Sequence, residues 1–224
     1  MKLNEYLGDW YGRMDTNELE SILKYLMTVK QDLLCPELKN IFRAFRLCNY
    51  KDLKVVILGQ DPYPQKGVAT GILFGNSKET KEEDISPSLR VVKEAVINPE
   101  SNYGRPIVFD NTMEYWAKQG MLLINSALTT EVGKVGHHSL LWRPFIAKLL
   151  YTLSTSNNGI TYVLFGNQAQ SFRDYIKGSN IILEEKHPAA YARLGLRMPS
   201  TIFDDMQKSV KGSFGVELNL YEEI

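Results

Sequence analysis

The sequence predicts an α/β fold: three layers, α/β/α, with a central four-stranded parallel twisted sheet, in a single domain. Three observations lead there. Short apolar runs closed by Gly, Asn or Glu alternate along the chain with segments whose apolar residues recur at helical spacing. Most of the short runs are apolar throughout rather than at every second residue, as strands buried on both faces require. The 224 residues, 44% of them hydrophobic, suffice for the core of one such domain.

Asp15 or Thr16 caps a first helix running to about Leu33, with Leu19, Ile22, Leu23, Leu26, Val29 and Leu33 on one face. Pro36 opens a second, burying Ile41, Phe42, Phe45 and Leu47. Residues 1–50 thus read as helices packed on an α/β core. Val55–Leu58 is the first strand, punctuated by Gly59. A small-residue loop, Gly67–Gly71, lets backbone approach a ligand closely, and Phe74 follows it. Lys78–Asp84 reads as solvated loop. Ser86 or Ser88 caps a helix from Leu89 to about Ile97, and another spans roughly Asp110–Gln119. Met121–Ile124 is the second strand, ending at Asn125; Trp142–Ser154 is a helix. Tyr162–Phe165 lies in the third strand, which ends in Gly166-Asn167, and a helix starts near Gln168. Asn180–Glu184 is the fourth strand, with His187-Pro188 just beyond it; Ser200 caps the last helix. No repeat, linker or low-complexity tract divides residues 1–224.

Composition narrows the function. Formal net charge is zero, so bulk charge does not announce a nucleic-acid binder, although backbone N–H groups and helix N-termini hold phosphates without it. No apolar run is long enough to span a bilayer, and Met-Lys-Leu-Asn-Glu-Tyr lacks a signal-peptide pattern. Cys35 and Cys48 are the only cysteines, without Cys-x-x-Cys spacing, which predicts a reduced chain with no zinc or iron–sulfur site. The expectation is an intracellular protein, cytoplasmic, or nuclear in a eukaryotic or viral host, with no membrane partner.

In a parallel sheet the C-terminal strand ends share one edge, where ligands bind. The first strand delivers Gln60, Asp61 and Tyr63 to that edge, the second Asn125, the third Gly166-Asn167, the fourth His187. Pro62 fixes its own φ and drives Asp61 out of helical geometry, so the carboxylate sits on an extended, stiff backbone.

These residues carry a resemblance. Val55–Pro64, Val-Val-Ile-Leu-Gly-Gln-Asp-Pro-Tyr-Pro, is similar to the water-activating loop of family 1 uracil-DNA glycosylases. Ile85-Ser-Pro-Ser-Leu resembles that family's proline-rich loop, and Leu122-Leu-Ile-Asn-Ser-Ala-Leu-Thr its uracil-recognition strand. His137-His138-Ser-Leu-Leu-Trp142 resembles the approach to its next helix. Val163-Leu-Phe-Gly-Asn-Gln-Ala-Gln resembles its Gly-Ser loop, and His187-Pro-Ala-Ala-Tyr its minor-groove loop. Pro64 stands where most members have His, Asn167 replaces Ser, and His-Pro-Ala-Ala-Tyr replaces His-Pro-Ser-Pro-Leu; the first and third departures are similar to poxviral members.

The resemblance implies hydrolysis of the N-glycosidic bond of deoxyuridine in DNA, leaving an abasic site in base excision repair. A base inside a duplex is out of reach and must be flipped out. Phe74 then stacks on the base, and Asn125, donor and acceptor at once, reads uracil O4 and N3–H. Tyr63 stands against C5, where thymine carries a methyl; Gln60 contributes its backbone near O2. Asp61 orients the water and stabilises the sugar cation, and His187 donates to the O2 charge. No metal or cofactor is implied. Ser86, Ser88, His137, Gly166, Asn167, Ala189, Tyr191 and Arg193 are expected against DNA, with Tyr191 filling the gap left by the base. His137 and His138 are adjacent, too close to face one ligand from a regular element, and read as loop residues near phosphate. Implied partners are uracil-containing DNA, single- or double-stranded, with an inhibitor protein of the glycosylase or a replication complex besides. Two other classes fit less of the sequence: a DNA-binding scaffold, and an α/β protein for a small nucleoside or nucleotide, for which no Gly-x-Gly-x-x-Gly or Walker loop is present.

Overall fold

The computed structural model describes residues 3–97 and 106–223. At its centre four strands run parallel: β1 (Val55–Gly59), β2 (Met121–Asn125), β3 (Thr161–Phe165) and β4 (Ile181–Glu185), in the spatial order β2-β1-β3-β4. The register pairs Gly59 with Asn125 across β1 and β2, so the chemistry-bearing ends finish level. Alternate residues divide between two cores. Val56, Leu58, Leu122, Ile124, Tyr162 and Leu164 face one; Val55, Ile57, Met121, Leu123, Val163 and Phe165 face the other.

Helices cover both faces. On the first lie α1 (Leu3–Leu7), α2 (Thr16–Leu26), α3 (Arg43–Leu47) and α6 (Ser139–Ser156). On the second lie α4 (Pro87–Val96), α5 (Glu114–Lys118) and α9 (Thr201–Phe214). Two short helices, α7 (Gly166–Gln170) and α8 (Pro188–Leu194), follow β3 and β4 directly. Trp10 is fully buried and donates its indole N–H to the Cys48 carbonyl at 2.6 Å, fastening the N-terminal segment to the first core. Each buried Val, Leu or Ile of the sheet contributes roughly 1.5–3 kcal/mol. No helix among the described residues is long and apolar enough to cross a membrane.

Several elements depart from the sequence expectation, each for a local reason. The first helix stops at Leu26, not Leu33: Thr28 Oγ1 donates to the Tyr25 carbonyl and Gln31 Nε2 to those of Leu26 and Val29, taking the carbonyls a longer helix needs. Pro36 does not open a helix. Leu34 and Cys35 pair with Glu131 and Thr130 as a short antiparallel ladder, a single 3-10 turn follows at Leu38–Asn40, and the α-helix begins only at Arg43. The Asp110 carboxylate accepts from the backbone of Thr112 and Tyr115, holding that turn open and delaying α5 to Glu114. The helix expected from Leu89 starts at Pro87, where proline's missing N–H costs nothing; Ser86 precedes it without a side-chain cap bond. The helix expected from Trp142 begins three residues earlier, at Ser139. The helix α8 and a second ladder, Ile107–Val108 with Glu222–Glu223, have no counterpart in the sequence reading.

Candidate active site

A cavity of about 250 Å³ opens at the C-terminal edge of the sheet, lined by Gln60, Asp61, Tyr63, Phe74, Ser88, Asn125, His187, Ala189 and Arg193 among others. The ends of β1, β2 and β4 and the loop around Gly71 therefore converge on one edge, as the parallel topology requires.

The β1–β2 junction is rigid. The Gln60 carbonyl accepts from Ala127 N at 3.0 Å and from Ser126 Oγ at 2.8 Å, fixing the peptide beside Asp61. A Cβ on Gly59 would lie 2.4 Å from Leu73 Cδ1 and 2.8 Å from Asn125 Oδ1. Glycine is thus what lets the Asn125 amide approach β1, and Oδ1 itself is buried with no hydrogen-bond partner. An unpaired buried acceptor costs on the order of 1–3 kcal/mol until a donor arrives.

Asp61 accepts one hydrogen bond, from Gly136 N–H to Oδ2 at 2.6 Å. Burial raises its pKa above the usual carboxylate value, and the Gly136 N–H opposes that rise. Tyr63 donates its hydroxyl to the Phe74 carbonyl at 3.2 Å. Phe74 holds a left-handed φ of 64°, a strained setting for a bulky residue, with its ring edge-on to Phe165 and His187 at 5.7 and 5.8 Å.

His187 caps α8: its Nδ1 accepts from Ala189 N at 3.2 Å. Burial, and then the nearby Arg193 charge, lower its pKa to about 4. The ring is neutral near pH 7, and because Nδ1 accepts, the proton resides on Nε2. A Cβ on Gly166 would lie 2.9 Å from His187 Cβ, so this glycine, at φ +82°, admits the imidazole against the end of β3.

The residues expected against DNA divide. Ser88, Ala189 and Arg193 line the cavity. Ser86 does not: it is buried, its N–H and Oγ both bonded to the Asn76 amide at 2.7 Å, so it positions α4 rather than facing a ligand. Gly166 supports His187, and Asn167 is exposed at the start of α7. Tyr191, expected to fill the gap left by the base, packs half-buried against the second core and donates its hydroxyl to Glu185 Oε1 at 2.7 Å. The exposed apolar residues of that segment are Leu194 and Leu196, either side of Gly195. His137 is exposed, whereas His138 is 2% exposed; both lie in the turn before α6, and from that irregular backbone both imidazoles turn toward Glu131. Sequence reasoning missed Gly136, Gly59, Leu194 and Leu196; the two closely spaced glycines of Gly-Lys-Val-Gly were the available signal for a tight turn reaching Asp61.

A parallel-sheet α/β protein with a pocket of about 250 Å³ at the strand C-termini, lined by a half-buried carboxylate, a half-buried amide and a neutral imidazole, is the class that fold and site define. Residues 45–210 match the family model of the uracil DNA glycosylase superfamily, and the chain belongs to that superfamily. The curated uracil-DNA glycosylase of Campylobacter jejuni subsp. doylei is 34% identical over 194 residues, covering 85% of this chain and 80% of the relative. That of Borrelia turicatae is 33% identical over 195 residues, covering 86% and 85%. Among solved structures, mimivirus uracil-DNA glycosylase superposes with a TM-score of 0.73 at 19% identity over 97% of this chain and 91% of the other. The enzyme of Nitratifractor salsuginis gives 0.64 at 21% identity over 93% and 96%. A mimivirus UNG variant solved in complex with UGI gives 0.69 at 23% identity, covering 84% and 73%.

Proposed function

We propose that the cavity is the uracil pocket of a uracil-DNA glycosylase, which hydrolyses the N-glycosidic bond of deoxyuridine in DNA and leaves an abasic site for base excision repair. The observation that carries the assignment of the pocket is Asn125 on its wall, whose buried Oδ1 has no hydrogen-bond partner. Uracil presents N3–H to that acceptor and O4 to the amide's own N–H groups. Cytosine reverses both and leaves buried groups unpaired.

The remaining roles follow from what each group has free. Phe74 offers a ring face held by Phe165 and His187. Tyr63, tied to the Phe74 carbonyl, bars a C5 methyl. The peptide of Gln60 is fixed by Ser126 and Ala127 near O2. As the bond breaks, negative charge gathers on O2 and positive charge on the sugar. His187 donates its Nε2–H to O2 as a neutral imidazole. Asp61, with Oδ2 on Gly136, turns Oδ1 to the water that attacks the sugar. Ser88, Ala189, Arg193, Asn167 and His137 meet the DNA backbone around the cavity. We assign the wedge that occupies the vacated stack to Leu194 and Leu196, because Tyr191 is tied to Glu185. The same cleft is a candidate surface for an inhibitor protein of the UGI kind.

Uracil release from single-stranded DNA, duplex DNA and free deoxyuridine tests the function. Release from both DNAs and none from the nucleoside is expected. Release from the nucleoside alone would make this a nucleoside hydrolase, and DNA binding without release a scaffold.

A further inference from the structure

Beside the cavity, on the segment that holds Asp61, lies a group the excision chemistry does not use. Glu131 Oε1 is 3.3 Å from His137 Nε2 and 3.7 Å from His138 Nε2, and one donor atom from each residue lies within 4.8 Å of the others. His138 is 2% exposed, yet its Nε2 has no hydrogen-bond partner. That atom is an orphan aimed at a carboxylate and a second imidazole. The rest of the ring is fixed: Nδ1 is 2.9 Å from Thr129 Oγ1, which also accepts the Trp142 indole N–H at 2.7 Å. When Nδ1–H donates to Thr129, Nε2 turns a lone pair toward Glu131. An imidazole whose second nitrogen is held by a neighbour is the arrangement found at metal-ligating histidines. The other Glu131 oxygen is bonded to Lys134 Nζ at 2.5 Å, which leaves Oε1 for a ligand.

We propose that Glu131, His137 and His138 form a site for a divalent cation of the zinc class. Two imidazole nitrogens and one carboxylate oxygen are a zinc donor set with a fourth position open to water. Donors about 2.0–2.1 Å from a tetrahedral ion stand roughly 3.3 Å apart. Two of the three separations are close to this already, and rotation of the exposed His137 ring brings in the third. The ion would rest one residue from Gly136, whose N–H holds Asp61. It would also engage His137, which the excision reading turns toward DNA. The binding experiment itself does not depend on that reading.

Zinc is titrated calorimetrically into the full-length chain at neutral pH in a non-chelating buffer, with cobalt absorption as the readout of the ligands. One ion per chain is expected, a higher melting temperature with zinc, and a cobalt spectrum without thiolate charge transfer. His138→Gln and Glu131→Gln, checked for folding by circular dichroism, should each bind zinc on the order of 10–100-fold more weakly. If His138→Gln fails to fold, Glu131→Gln decides alone. No binding, unchanged affinity in a folded variant, or a thiolate band assigning the ion to a cysteine would overturn the site.

Discussion

Asp61 has to be ionised in a place where burial resists ionisation. Its folded pKa is raised, so the folded chain holds that proton more tightly than the unfolded one, and stability is lost as pH rises past the ordinary carboxylate range. Asp61→Asn keeps an oxygen for Gly136 and removes the charge. It should lower single-turnover excision by about 10²–10³-fold or more while raising the melting temperature. Near-wild-type turnover would remove Asp61 from the chemistry. His187 has the opposite sign. The folded value is about 4 against an ordinary 6.5, so the unfolded chain binds a proton the folded one refuses, and stability falls as pH drops through that window. Nitrogen NMR should show His187 neutral, with its proton on Nε2, down to the lower part of that window. A ring titrating near 6.5 would contradict the neutral-donor role. Gly59→Ala drives a methyl into Leu73 and Asn125 and should lower excision by about 10²-fold, because the amide can no longer reach its place.

At the scale of elements, α8 and the turn after it decide how the site treats a duplex. The helix starts at a proline, is capped by His187, and is pinned by Tyr191 to Glu185 on β4. That leaves Leu194 and Leu196, 69% and 56% exposed, as the apolar surface able to enter a base stack. A single strand needs no unpairing and leaves no gap. The double variant Leu194→Ala, Leu196→Ala should therefore lose roughly 10-fold or more on duplex DNA and little on single strands, in matched single-turnover rates. Tyr191→Phe should leave the duplex-to-single-strand ratio unchanged. An equal loss on both substrates in the leucine variant would refute the wedge.

For the whole molecule, the parallel sheet was legible because most of its strands are apolar on both faces and the runs are closed by Gly, Asn or Glu. The convergence of Asp61, Asn125 and His187 followed from topology before any distance was known. Helix ends were less legible: Gln31, Thr28 and Asp110 terminate or delay helices through side-chain bonds that periodicity does not register. The fate of Tyr191 was illegible for a similar reason. A tyrosine reads as a stacking ring, and nothing in the sequence signals that a carboxylate six residues earlier holds its hydroxyl. The Glu131–His137–His138 group was hidden because a turn closed by the Glu131–Lys134 bridge folds the segment back on itself.

The central claim is that this sheet edge reads a flipped uracil through Asn125. The most direct measurement is single-turnover release of cytosine and uracil from otherwise identical single-stranded oligonucleotides by the wild type and by Asn125→Asp. A carboxylate accepts from the cytosine N4 amine. Wild type should release uracil and no cytosine, and the variant should release cytosine at a measurable rate. A variant that still cleaves uracil well and leaves cytosine untouched would contradict the account.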